Sequence, residues 1–151
     1  MTKQNKSEMA KKRHGARRAG LQILYQWQLN ESITQDMLLD YAASNSMTDV
    51  DTSYFQRLFL GVTEELISID DAIKPMLDRS IQSLDPVELA ALRIATYELA
   101  HCIEIPYKVV INEAIELVKE FGAEGGHRYI NGVLDKLALN LREMETSSVK
   151  R

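Results

Sequence analysis

A chain of 151 residues is long enough for one domain that buries roughly two thirds of the surface its unfolded form exposes, so neither a metal nor a disulfide is needed. The single cysteine, Cys102, excludes an internal bridge. No charged-then-apolar leader and no apolar run of about 18 residues point to export or a membrane, so a cytoplasmic protein with no membrane contact is expected. Net charge is −4, which argues against a general nucleic-acid coat, yet residues 1–18 carry seven cations against Glu8 only, a local +6 that leaves −10 on the rest. That asymmetry predicts a basic arm on an acidic body.

Residues 1–10 are polar without apolar period and read as a flexible basic arm, followed by a folded domain over 11–142 and a flexible tail over 143–151. Ala16, Gly20, Ile23, Leu24 and Trp27 keep helical spacing, and Lys12, Arg13, Arg17 and Arg18 lie at or before the first turns, where the helix dipole favours anions. A solvated tail is the alternative. Trp27 continues the apolar stripe, whereas Tyr25 falls off it and suits base stacking. A short helix follows over 33–43, and Asp49 or Asp51 can cap the next one, through Phe55, Leu58, Phe59, Val62, Leu66 and Ile69. Its interior Gly61 predicts close helix packing. Ile69, Ile73, Met76 and Leu77 continue on a changed face, a segment that Pro75 kinks or shortens, so two helices are expected, with one long bent helix as the alternative.

Asp85, Pro86 and Glu88 spell a capping box with proline in the first turn, so a helix starts at Pro86. From Val87 to Leu99 it is apolar nearly all round, which places it inside a bundle. Ile105-Pro106 ends one segment and starts another, whose stripe of Val110, Ile111, Ala114, Leu117, Val118 and Phe121 stops at Gly122, expected as left-handed. After a polar loop, Ile130, Val133, Leu134, Leu137, Ala138 and Leu141 form the last stripe. The sum is seven helices, no strand and no repeat: an all-α, single-domain bundle.

Catalytic chemistry finds no foothold. His101 and Cys102 are adjacent on a helix and point about 100° apart, a poor nucleophile pair. Zinc would lack ligands, Glu113 and Glu116 lack the Glu-x-x-His partners of a di-iron site and read as solvated carboxylates, and no glycine run forms a phosphate loop. More informative is Glu124–Tyr129, which sets Arg128 and Tyr129 at a helix start where phosphate can bind and a base can stack. The alternative is a flexible Gly125-Gly126 connection with Tyr129 packed on the preceding helix. Residues 30–90 carry twelve acidic side chains against Arg57, Lys74 and Arg79, so one face should be negative and suit a basic protein partner.

Four blocks in order then resemble the NusB family of bacterial transcription antitermination factors: Arg17-Arg18-Ala19 leading to Leu24–Gln28, Leu92–Leu99, Pro106–Leu117 and Tyr129–Lys136. The resemblance runs from about Lys12 to Arg142. It implies an all-α fold of two helical subbundles, no enzymatic activity and no cofactor. It also implies that, with the ribosomal protein NusE, the chain binds single-stranded boxA RNA in nascent transcripts, notably of ribosomal RNA operons, within an RNA polymerase antitermination complex that reads through terminators. Lys12, Arg13, Arg17 and Arg18 then correspond to phosphate-gripping positions, Tyr25, Arg128 and Tyr129 to the RNA surface, and Glu88 to the NusE-facing one. His14-Gly15 and Gly125-Gly126 depart from the family pattern, weakening phosphate contact and the loop's RNA role respectively. Two other readings compete. One is an accessory to an RNA methyltransferase, since a similar domain occurs fused to such enzymes, although only ten residues follow Leu141. The other is a protein scaffold with incidental RNA contact.

Overall fold

The computed structural model describes residues 2–149. Helix α1 (Lys3–Leu29) is continuous and begins at Thr2, whose hydroxyl accepts a hydrogen bond from the Asn5 N–H at 3.1 Å. The expected flexible arm is thus helical from Lys3, although residues 3–10 are all exposed. Lys, Gln, Glu, Met and Ala are good helix formers, and once Ala16–Trp27 is packed, adding turns upstream requires no new nucleus. Next come α2 (Thr34–Ser44), α3 (Thr52–Glu64), α4 (Leu66–Ile73), two 3₁₀ turns (Lys74–Met76, Ile81–Ser83), α5 (Pro86–His101), α6 (Tyr107–Phe121), α7 (Gly126–Leu141) and α8 (Glu143–Val149). Seven of these eight α-helices match the expected ones; α8 lies where a flexible tail was expected.

Helix α5 is the axle. Every residue from Ala90 to Leu99 is buried, with α1 and α3 against one side, α6 and α7 against the other, and α4 beside it. Gly61 lets α3 approach it: an added Cβ would collide with the Tyr97 ring. Where α3 meets α4 the chain breaks at Glu65 (φ −102°, ψ 21°), so the two-helix reading holds with the joint before Leu66, and Pro75 ends α4 in a 3₁₀ turn. Asp51 caps α3 through the Tyr54 N–H at 3.1 Å.

Two local expectations are corrected. Asp85 caps α5 by accepting from the Val87 and Glu88 N–H groups at 2.9 and 3.2 Å, but the Glu88 carboxyl packs against Gly126 instead of closing a capping box. Gly122 is extended (φ −92°, ψ −179°), and glycine is needed there because a Cβ would sit 2.8 Å from the Val118 carbonyl oxygen. The left-handed residue is Gly125 (φ 81°), which opens α7.

The carbonyl end of α5 is closed by a distant side chain. Buried Arg142 donates to the carbonyl oxygens of Glu98, Leu99, Cys102 and Ile105 at 2.7–3.2 Å, and is held at 2.6 Å by Glu145. The other oxygen of Glu145 accepts the Tyr107 N–H at 2.9 Å, capping α6. Among the described residues no helix is long and apolar enough to cross a membrane.

Candidate nucleic-acid interface

Residues seven apart on a helix share a face. Lys11, Arg18 and Tyr25 are so spaced on α1; Lys11 and Arg18, with His14 and Gln22, form one wall of a groove of about 460 Å³ against α2 and the segment before α3. Past Gln22 and Tyr41 it runs into a second hollow of about 350 Å³ that reaches Tyr25 and ends at Val87 and Phe121. The Tyr41 hydroxyl donates to Gln22 Oε1 at 2.7 Å, while Tyr25 is 36% exposed and offers its ring to solvent. The cations along this wall are paired in the open. Lys11 Nζ lies 3.6 Å from Asp49, and Arg18 grips Glu120 with both its Nε and Nη2 at 2.6–3.1 Å above the Phe121 ring. Exposed pairs of this kind are weak enough for a phosphate to replace the carboxylate.

Lys12 and Arg13 lie on the other side of the 49–51 segment. The Arg13 guanidinium sits 4.0 Å from the Tyr54 ring centre, with Nε 3.8 Å from Asp51, and exposed Lys12 accepts the Asp51 N–H on its carbonyl at 3.0 Å. Gly15 explains this crossing: an added Cβ would collide with the Asp49 carbonyl oxygen, so the glycine serves helix–loop packing. His14 Nδ1 is 2.6 Å from Glu113 Oε2.

Arg17 departs from its expected role. It is 3% exposed and bonded through Nε and Nη2 to both oxygens of Glu98 at 2.8–3.1 Å, with Glu113 at 3.6 Å and the Tyr54 hydroxyl donating to the same Glu98. Burial opposes its charge, but the hydrogen bonds and field of Glu98 more than offset this and hold its pKa above the ordinary arginine value. It is an internal strut and does not reach the surface. Glu113, expected to be merely solvated, is shared between His14 and Arg17. Cys102 is fully buried beneath the Tyr54 hydroxyl while His101 is exposed and stacks on Tyr97, so the adjacent pair forms no dyad.

At the head of α7, Arg128 is exposed and makes no ion pair among the described residues. Tyr129 is half-buried; its hydroxyl donates to Asp78 at 2.9 Å and its ring lies 4.2 Å from the Arg79 guanidinium. A base stacking there meets Arg79 first. Glu88 belongs to the same corner, packed on Gly126, its carboxyl pKa raised by burial and by Asp85 against the pull of Arg79. Neighbouring Val87 closes the α1 groove. The expected sites therefore gather into an α1 wall (Arg18, Tyr25) and an α7 corner (Glu88, Tyr129), with Arg128 exposed in the first turn of α7, Lys12 and Arg13 set apart and Arg17 inside. Sequence reading missed Lys11, His14 and Arg79, although the seven-residue spacing of Lys11 from Arg18 was a usable signal.

The NusB family model matches residues 14–139. The transcription antitermination protein NusB of Pseudomonas fluorescens strain Pf0-1 is 46% identical over 146 residues, covering 97% of this chain and 88% of the relative. That of Pseudoalteromonas atlantica is 50% identical over 135 residues, covering 89% and 96%. Among solved structures, NusB of T. maritima superimposes with a TM-score of 0.74 at 32% identity over 83% of this chain and 89% of that one. A complex of the antitermination factors NusB and NusE with double-stranded RNA gives 0.73 at 26% identity over 83% and 94%. On these matches in sequence and fold, this chain belongs to the NusB family.

Proposed function

We propose that the chain is a non-enzymatic transcription antitermination factor that acts in the cytoplasm. With NusE it binds single-stranded boxA RNA in nascent transcripts, notably of ribosomal RNA operons, so that RNA polymerase reads through terminators. The observation that carries this reading is the α1 groove, where Lys11, Arg18 and Tyr25 combine exchangeable charge with an open aromatic face. Lys12, Arg13, Arg18 and Arg128 supply phosphate contacts, Tyr25 and the Arg79-covered Tyr129 meet bases, Glu88 faces NusE, and Arg17 holds α1 in phase from within. A similar NusB–NusE pair has been solved with double-stranded RNA, so strandedness is part of the test.

Fluorescence anisotropy with boxA, a scrambled strand of equal length and the boxA duplex, each with and without NusE, should rank single-stranded boxA first. NusE should tighten it, and by linkage RNA should tighten NusE equally. Arg13→Ala combined with Arg128→Ala should flatten the salt dependence by about 0.7 in log–log slope for each phosphate no longer neutralised. Equal affinity for boxA and the scrambled strand, with a slope unchanged in the variant, sinks the reading.

A further inference from the structure

A third groove, of about 710 Å³, lies between the end of α1 and the joint of α3 with α4; it shares no lining residue with the α1 groove, and Glu88 does not line it. It exists because the chain leaves helical geometry at Glu65 and restarts at Leu66, which turns Ile67 outward to 80% exposure. Trp27 and Leu66 line it with apolar surface. On its rim stand Glu31, Glu64, Glu65 and Asp71, all exposed, and none makes a side-chain hydrogen bond or ion pair among the described residues. Nearby Asp70, by contrast, is satisfied by Arg93 at 2.9 Å. No lysine or arginine lines the groove. An exposed large aliphatic beside an apolar floor marks a contact surface, and four uncompensated carboxylates of one sign select its partner by complementarity.

We propose that this groove docks a basic segment of another protein, one that seats an aliphatic or aromatic side chain on Trp27, Leu66 and Ile67 between lysines or arginines that meet the four carboxylates. RNA is repelled here, so the surface is separate from the nucleic-acid groove and goes beyond the function proposed above. The contact would let the chain hold RNA, NusE and a third protein at once.

The test is a selection of phage-displayed random 12-residue peptides on the full chain, followed by anisotropy with each enriched peptide made synthetically. Enriched peptides should carry at least two cations around an apolar residue. Their affinity should fall by about tenfold or more in Glu64→Gln/Glu65→Gln and in Ile67→Ser, stay unchanged in Glu88→Gln, and weaken with salt. All these positions are exposed or half-buried, and circular dichroism checks that each variant keeps its helices. Three results overturn the proposal: no enrichment, peptides that bind wild type and groove variants alike, or a concentration-dependent dimer abolished by Ile67→Ser, which would make a second copy the occupant.

Discussion

Arg17 and Arg18 are adjacent, chemically identical and each bonded to a glutamate through two nitrogens, yet they play opposite parts in the molecule. A rotation of about 100° along α1 separates them. Arg17 points into the Glu98–Tyr54 interior at 3% exposure, whereas the Arg18–Glu120 pair is open to solvent. The difference teaches that pairing geometry alone does not assign a role. A desolvated pair has nowhere else to go and fixes the fold, while a hydrated pair can give up its carboxylate to a competing anion.

The comparison breaks most visibly on its buried side. Glu98→Ala leaves the Arg17 guanidinium enclosed without its partner and should cost about 3–5 kcal/mol, read as a lowered urea midpoint; a loss under about 1 kcal/mol would mean Arg17 is no more committed than Arg18. The same interior should also respond to alkali. Burial pushes the Cys102 thiol up, and burial together with Glu98 pushes the Tyr54 phenol up further. The unfolded chain releases these protons from about pH 8.5 and pH 10, while the folded chain keeps them. Their stabilising effect is therefore whole below that range and is lost as pH rises, by about 1.4 kcal/mol per pH unit for each group. Urea midpoints between pH 7 and 10.5 should show the decline, and Cys102→Ala should remove its earlier part. The smallest expected effect on stability lies outside: Arg18→Ala should change it by less than about 1 kcal/mol while flattening the RNA salt slope by about 0.7. A large stability loss there would erase the distinction.

Apolar periodicity made seven helices legible, and the all-round apolar run of α5 announced the buried centre. Residues 3–10 and α8 escaped because their helices show no apolar stripe: one is propagated from a packed neighbour, the other begins beside Arg142. Arg17 was misread along with its basic neighbours as a phosphate-gripping cation near the helix start. Its phase, shared with Gly20, Leu21 and Leu24, already placed it inward. The glycines were harder still. Gly15 and Gly126 each answer to an atom remote in sequence, on Asp49 and Glu88, which no local pattern reveals, whereas Gly122 answers to Val118 one helical turn back.

The closure of α5 by Arg142 has a consequence for how the protein is made. Cys102 leaves the ribosome about forty residues before the guanidinium that its carbonyl awaits. During that interval the Glu98 and Cys102 oxygens keep only their local backbone donors, the N–H groups of Cys102 and Ile105, and water must serve in place of the guanidinium. The carbonyl end of α5 thus gains its side-chain donor only after the chain has been made through Arg142.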